Sequence, residues 1–373
     1  MEKDNKSFIW VGLGLIILLL LILLVVFIIS KTRNKYLTYE KVIEKMERAT
    51  IKYYEKNPKP LDVGDHYLAY DTLVDAELIK PLNELLANGD ECSAHVIVIN
   101  KDAHYSYTPY LKCGENYETI ELYKKLIDPN NIVTAGSGLY KNKDNEYYYR
   151  GEVTNNYIKL GTVKKEDKEV DNIWRIMSID ENGIIKIRNT KTTNSTYVWD
   201  DRYNVTMTDN YGYNDFEMSR FKETLLFLGN RDSVMNEKYR NKLVAKKLCV
   251  AKRGDDDPSK DGSTECSIMS NDLFNVGTMT PYEYMRASLD DNCIRTISHS
   301  CANYNYLVNN AHASEWLLTA YKGNNHQSYS FGGSTLTPST DDTEKYIYLT
   351  AYLTDKSFYL KGTGTLNDPY EIR

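Results

Sequence analysis

The side chains that could do chemistry are few and dispersed. Six cysteines stand at Cys92, Cys113, Cys249, Cys266, Cys293 and Cys301. None forms a C-x-x-C pair, and they fall into three local couples. Nearest-neighbour pairing is the simplest of the possible connectivities: Cys92–Cys113, Cys249–Cys266 and Cys293–Cys301. Each such bond would staple a short loop and stabilise by about 2–4 kcal/mol. Metal binding is the alternative use of thiols, and His299 lies close to a cysteine couple. The remaining histidines, His66, His95, His104, His312 and His326, are scattered. Asp255, Asp256, Asp257 and Asp261 crowd the acidic loop GDDDPSKDG and offer hard oxygen ligands for Ca²⁺, without the spacing of an EF-hand. Asp341, Asp342 and Glu344 form a second, smaller acidic group. Tyr211 and Tyr213, and Tyr304 and Tyr306, alternate with Asn or Gly in loop-like runs. Rigid aromatic area beside adaptable amides suits a sugar- or protein-binding surface.

Catalytic motifs are missing. The chain has no G-x-S-x-G, no H-E-x-x-H, no Walker-type loop and no G-x-G-x-x-G after a strand. The expectation is a protein that binds and does not catalyse. A net charge of −6 excludes a broad basic footprint for nucleic acid. Tyrosine is abundant, 32 residues against 8 Phe, alongside much Lys, Asn and Ile. That balance fits β-rich surface domains or an A/T-rich coding sequence.

The elements that must carry these residues begin with FIWVGLGLIILLLLILLVVFII, from Phe8 to Ile29. As a helix it would be roughly 33 Å long, against a bilayer core of about 30 Å. The stretch predicts a membrane helix over residues 8–30, with residues 1–7 as a cytoplasmic tail and the lipid bilayer as a partner. No small-residue cleavage site follows at Ser30-Lys31-Thr32-Arg33. Lys31, Arg33 and Lys35 outnumber Lys3 and Lys6, which alone would hold the C-terminal bulk inside. Long domains translocate regardless of such charge, and paired cysteines need an oxidising compartment. The expected location is therefore the cell membrane, single-pass, with the C-terminal domains outside. Mean hydropathy of −0.53 despite the apolar run marks the remainder as polar.

Residues 31–57 read as an amphipathic helix, with Leu37, Val42, Ile43, Met46, Thr50 and Tyr53 on one face. Asn57-Pro58-Lys59-Pro60 ends it. Asp71 is a plausible cap for a helix from Thr72. SAHVIVIN and HYSYTPYL then flank a Lys101-Asp102-Ala103 turn, with Cys92 and Cys113 at the open end of the hairpin. This layout over residues 8–113 resembles type IV pilin-like proteins. Prepilins carry Gly before a Phe and Glu at the fifth mature position; here Ser7 and Gly12 stand there. The resemblance implies a stalk helix and a hairpin domain over 31–125. Residues 126–145, with Pro129, Gly136, Ser137 and Gly138, read as a linker.

Residues 146–373 read as a larger domain. Strands are expected at 147–152, 157–160, 174–179 and 184–188, the last two around the turn Asp180-Glu181-Asn182-Gly183. Helices are expected at 217–228, 236–248 and 280–288, the last with Thr280 as cap and Pro281 in first position. Trp316, Leu317 and Leu318 are core candidates, and 346–353 and 356–360 closing strands. The pieces RGEVTNNYIKLG, WRIMSIDENGIIKI, TPYEYMRAS, WLLTA and KGTGTLNDPYEI resemble a domain of unknown function found at the C-termini of bacterial surface proteins. That domain is distantly similar to the formylglycine-generating-enzyme and C-type-lectin-like fold. Tyr346-Ile347 stands where the family has Arg-Pro. The resemblance implies an irregular α+β fold with two short sheets and much loop, and no cysteine here falls on the enzyme's catalytic pair. The whole reads as an α+β surface protein acting in adhesion or display. A pilus-like assembly subunit and an enzyme modifying cell-surface polymers are the alternatives.

Overall fold

A computed structural model describes residues 20–25, 36–58, 62–101, 104–165, 167–202, 212–308 and 314–373. The fold is α+β and mostly sheet, in two compact units, residues 1–119 and 120–373. One expectation needs correction. Among the described residues no helix is long and apolar enough to cross a membrane. Residues 20–25 are helical, but six residues make only about 9 Å of helix. The rest of the expected span, and the expected tail over 1–7, lie outside the described residues.

In the first unit, helix α1 (Tyr39–Lys56) starts at the Thr38 cap, whose hydroxyl accepts from the Lys41 N–H. Its buried stripe is Val42, Ile43, Met46, Ala49 and Thr50, the face expected from helical spacing. Strand β1 (Gly64–Ala69) runs directly into helix α2 (Tyr70–Asp75). Asp71 is therefore inside the first turn of α2, and Ala69 occupies the cap position. A helical turn α3 (Leu82–Leu85) leads to β2 (Cys92–Lys101), β3 (His104–Cys113) and β4 (Tyr117–Glu118). The four strands form an antiparallel sheet in the order β1-β2-β3-β4. Val96, Val98 and Leu111 alternate onto the face that packs with the α1 stripe and Leu73. Cys92 lies directly opposite Cys113 and is bonded to it, closing the hairpin as expected.

The second unit begins earlier than the sequence suggests. Helix α4 (Leu122–Leu126) buries Leu122 and Leu126, and β5 (Gly138–Lys141) buries Leu139 and pairs with β6 (Tyr147–Arg150). The expected linker over 126–145 is thus part of this unit. Its Gly and Pro residues make tight turns between short buried elements. Strands β7 (Tyr157–Lys165), β8 (Lys168–Ile179) and β9 (Ile185–Asn189) form the antiparallel centre. Asp180 Oδ1 accepts from the Asn182 and Ile184 N–H groups to make the β8–β9 turn. Gly183 holds φ +79° there beneath the Tyr123 ring.

Helix α5 (Arg220–Leu228) is capped by Ser219. Helix α6 (Glu237–Arg240) is a single turn, and residues 241–248 of the expected longer helix are not helical. There Val244 and Lys246 bond in extended fashion to Tyr352 and Phe274. Strand β10 (Val276–Thr278) leads into helix α7 (Pro281–Ala287), which carries the capping box Thr280/Glu283. Strands β11 (Glu315–Ala320), β12 (Gln327–Phe331) and β13 (Leu336–Thr340) make a separate three-stranded sheet. Strands β14 (Leu349–Leu353), β15 (Tyr359–Lys361) and β16 (Tyr370–Ile372) complete the large one, β16 lying parallel to β7.

Both sheets share one core, in which Trp174, Trp199 and Trp316 are fully buried. Each indole N–H has an acceptor: Asn172 Oδ1, the Leu317 carbonyl and the Tyr197 carbonyl respectively. The core also contains charge. On β9, Lys186 and Arg188 are buried and pair with Glu283 and Glu315. Arg253 is wholly buried. Its Nη1 meets both Glu265 oxygens at 2.9 Å, its Nε donates to Thr296 Oγ1 at 2.6 Å, and its Nη2 reaches the Asp257 and Ser259 carbonyls at 3.0 and 2.7 Å.

Removing one partner of such a pair strands a charge in the interior. Arg253→Met is expected to destabilise the chain by about 3–5 kcal/mol in denaturant unfolding. The double variant Arg253→Met/Glu265→Leu should recover much of that loss. A double variant as unstable as the single one would show that the hydrogen bonds to the loop, and not charge pairing, dominate.

Candidate functional site

The best-formed concavity of the second unit lies between β8, the segment after β9 and the end of α5. It is a cleft of about 330 Å³, within the range of small-ligand sites, roughly 300–1,000 Å³. Val163, Ile173, Leu228, Val234 and Leu349 make an apolar lining. Above it lies the polar run Asn189 to Ser195, with Asn172 and Tyr197.

Local hydrogen bonding explains why this run holds its shape. Thr190 donates through both N–H and hydroxyl to the Ile173 carbonyl, at 3.1 and 2.8 Å. Thr193 N–H donates to the Ile347 carbonyl, and Thr193 Oγ1 accepts from the Ile347 N–H at 3.1 Å. Asn172 Nδ2 donates to the Val234 carbonyl at 3.0 Å, tying the opposite wall to β8. One polar atom is left over: Asn189 Oδ1 is buried without a hydrogen-bond partner. Phe227 stands at the rim, 55% exposed, with the Arg231 guanidinium 4.9 Å from its ring centre. Lys191 adds a second cation, while Asp171 is held by Lys159 at 2.6 Å.

The described lining residues include no histidine, cysteine or glutamate. What the cleft offers is hydroxyl and amide hydrogen bonding over an apolar base with an aromatic edge. A larger groove of the first unit, about 600 Å³, runs along α1 over Val74, Leu78, Ile79 and Leu85. Its rim is Lys45, Arg48, Lys52 and Lys80, of which Arg48 and Lys80 pair with Glu44 and Glu84. It offers long solvated cations, with Glu77 as a lining carboxylate.

The sites expected from sequence fall elsewhere. All six cysteines are consumed in Cys92–Cys113, Cys249–Cys266 and Cys293–Cys301. Three structural disulfides suit an oxidising, extracellular or secreted setting. In the acidic loop the four carboxylates diverge. Asp255 accepts from the Tyr321 and Tyr329 hydroxyls, and Asp256 pairs with Arg295. Asp257 takes the Ser259 N–H and the Thr264 hydroxyl, and Asp261 takes the Ser259 hydroxyl and Ser263 N–H. Among the described residues no three His, Cys, Asp or Glu side chains gather as a metal site. These aspartates instead fold their own loop.

The tyrosines separate as well. Tyr211 lies outside the described residues. Tyr213 is partly buried beside Lys252, 5.4 Å from its ring centre. Tyr304 is 59% exposed, whereas Tyr306 is buried, its ring 4.7 Å from the Arg175 guanidinium. Arg175 also donates to the Tyr306 carbonyl, which draws that residue inward. Tyr213, Tyr304 and Tyr306 do not line the cleft. The sequence reading missed the cleft; the signal that could have found it is the run NTKTTNSTY, Asn189 to Tyr197, an amide- and hydroxyl-rich connection leaving a buried strand. Comparison with known proteins finds no matching family model, no matching curated protein and no matching solved structure.

The second acidic group contains one unusual residue. Asp341 is fully buried, with the Ser328 hydroxyl beside its carboxyl group. Burial pushes its pKa up to about 8, the Ser328 hydroxyl and Lys252 opposing the shift and the Asp200 carboxylate adding to it. The native state therefore keeps a proton that the unfolded chain releases near 3.8. Stability should fall as pH rises between these two values and level off above the higher one. Asp341→Asn should flatten this dependence and stabilise the protein at pH 8 relative to pH 5, by an amount on the order of a few kcal/mol. Parallel unfolding curves at the two pH values, with and without the substitution, check it; an unchanged difference would refute the assignment.

Proposed function

We propose that the chain is an extracytoplasmic binding protein whose larger unit holds a sugar-like polyol in the cleft beneath Asn189 to Tyr197. The disulfides support the compartment. The observation that carries the ligand class is the lining itself. Fixed amides and hydroxyls face an apolar base, one buried acceptor (Asn189 Oδ1) lacks a donor, and Phe227 offers an exposed ring. A sugar supplies the missing hydroxyl donor, and its C–H face stacks on an aromatic edge. The reading is non-catalytic: the one carboxylate of the described lining, Asp171, is held by Lys159. Adhesion or display at the surface is the corresponding role. The pilin-like and lectin-like likenesses rest on their sequence motifs alone and enter as suggestions for how such a binding unit is carried.

The test is ligand-observed NMR on the purified chain with a panel of neutral mono- and disaccharides. Saturation transfer to at least one sugar is expected. Phe227→Ala removes only an exposed ring and should weaken that binding by roughly tenfold, about 1.4 kcal/mol. Asn189→Ala should do at least as much. The absence of transfer across the panel, or transfer unchanged in both variants, would overturn the reading.

A further inference from the structure

A second hollow of the larger unit, about 450 Å³, shares no lining residue with the cleft. Arg150, Lys260 and Arg286 line it together with Asn142, Tyr148 and Asp261. Each cation arrives on a different element: Arg150 at the end of β6, Arg286 on α7, and Lys260 in the loop that Arg253 pins.

The two guanidiniums are held in place by aromatic rings. Tyr140 and Tyr148 face each other across β5 and β6 and stack, with ring centres 6.2 Å apart. Arg150 lies 5.1 Å from the Tyr140 ring centre, and Arg286 lies 4.5 Å from that of Tyr148. Cation–aromatic contact fixes a guanidinium plane while leaving N–H groups at its edge unspent. Arg286 uses Nη1 on Glu146 at 2.8 Å, and Arg150 uses Nη2 on the Ser288 carbonyl at 2.8 Å. Arg150 Nε is buried and has no hydrogen-bond partner.

Lys260 is the least compensated of the three. It has no hydrogen bond or ion pair among the described residues, yet it is half-buried. Burial lowers its pKa, the Arg150 charge lowers it further, and Asp291 and Asp290 only partly oppose them. Of the nearby carboxylates, Glu146 is taken by Arg286 and Asn142, and Asp290 by Asn292 and Asn303. Asp261 is taken by Ser259 and Ser263. Lys260 and the buried Arg150 Nε thus keep donors that no described side chain of the fold satisfies in a partly desolvated hollow, which is costly unless an acceptor completes them. Donors from three directions match a group with at least three anionic or acceptor oxygens better than a planar carboxylate does.

We infer that the hollow between Arg150, Lys260 and Arg286 binds a phosphate group, either free or carried on a larger ligand. Lys260 is the discriminating residue, because it supports nothing else in the fold. Binding of inorganic phosphate to the purified chain, followed by ³¹P NMR titration, should be saturable. Lys260→Gln should weaken it roughly tenfold, the loss of one charge-assisted hydrogen bond. Lys247→Gln, at an exposed lysine outside the hollow, should leave it unchanged. Dimethyl phosphate separates the two sources: comparable affinity supports a chain-borne phosphodiester, and clear preference for inorganic phosphate supports the free ion. Non-saturable association, or equal weakening by Lys247→Gln and Lys260→Gln, would reduce the effect to diffuse charge and overturn the inference. The sugar-binding measurement reports on a different cavity, so either result can fail without the other.

Discussion

The guanidinium of Arg253 sits where several irregular segments of the larger unit must meet. Its side chain binds the Glu265 carboxylate, the Thr296 hydroxyl and two carbonyls of the acidic loop. Its backbone joins the same segment to β11 and Lys322, through bonds to Ala320 and from Lys322. A rigid planar fork with five donors suits such a junction, because it can satisfy several loops at once without a regular element. Much of this unit is loop, and loops carry polar backbone that must be satisfied when buried. The acidic loop is tied to this one buried cation through its Asp257 and Ser259 carbonyls, and the segment carrying Cys266 through Glu265.

Lys186 with Glu283 and Arg188 with Glu315 extend the same logic to the large sheet. Tyr352 and Tyr348 cover the two cations with their rings, at 5.3 and 4.3 Å. On β9 these charges alternate with Ile185 and Ile187, so one strand presents an apolar face and a buried ionic face. Buried ion pairs add little net stability over apolar packing. They restrict which strand neighbours and helix caps fit, and Glu283 does both here, since it also accepts from the Thr280 N–H and hydroxyl.

Legibility in the sequence followed locality. The cysteine couples are short-range, and all three formed as nearest-neighbour pairing implied. The α1 stripe, the Cys92–Cys113 hairpin, the Asp180–Gly183 turn and the Thr280–Glu283 box are likewise set by residues a few positions apart. The misreadings involve partners far along the chain. Leu122 and Leu126 look like the tail of a small domain, but Leu122 N–H bonds to the Ser357 carbonyl and both side chains join the later core. Tyr306 reads as a loop tyrosine until Arg175, distant in sequence, draws it in. The acidic loop reads as a cation site because its hydroxyl partners at 321 and 329 are remote. The cleft was missed, since NTKTTNSTY supplies only one wall while the opposite wall, from Phe227 to Val234, comes from another region.

The bond between Cys92 and Cys113 has a mechanical meaning as well. Chain enters the smaller unit through α1 and leaves it just after β4, so a load along the backbone runs through this hairpin. The disulfide spans 21 positions at the open end. Were the fold pulled apart, the force would cross from Cys92 to Cys113 through sulfur, and the strands between them would stay out of the extended path. About 70 Å of contour is withheld in this way, at roughly 3.4 Å per residue. Tension would therefore unravel α1 and β1 while leaving β2 and β3 tethered to each other, and the hairpin would remain as a template on which the rest can refold when the load is released.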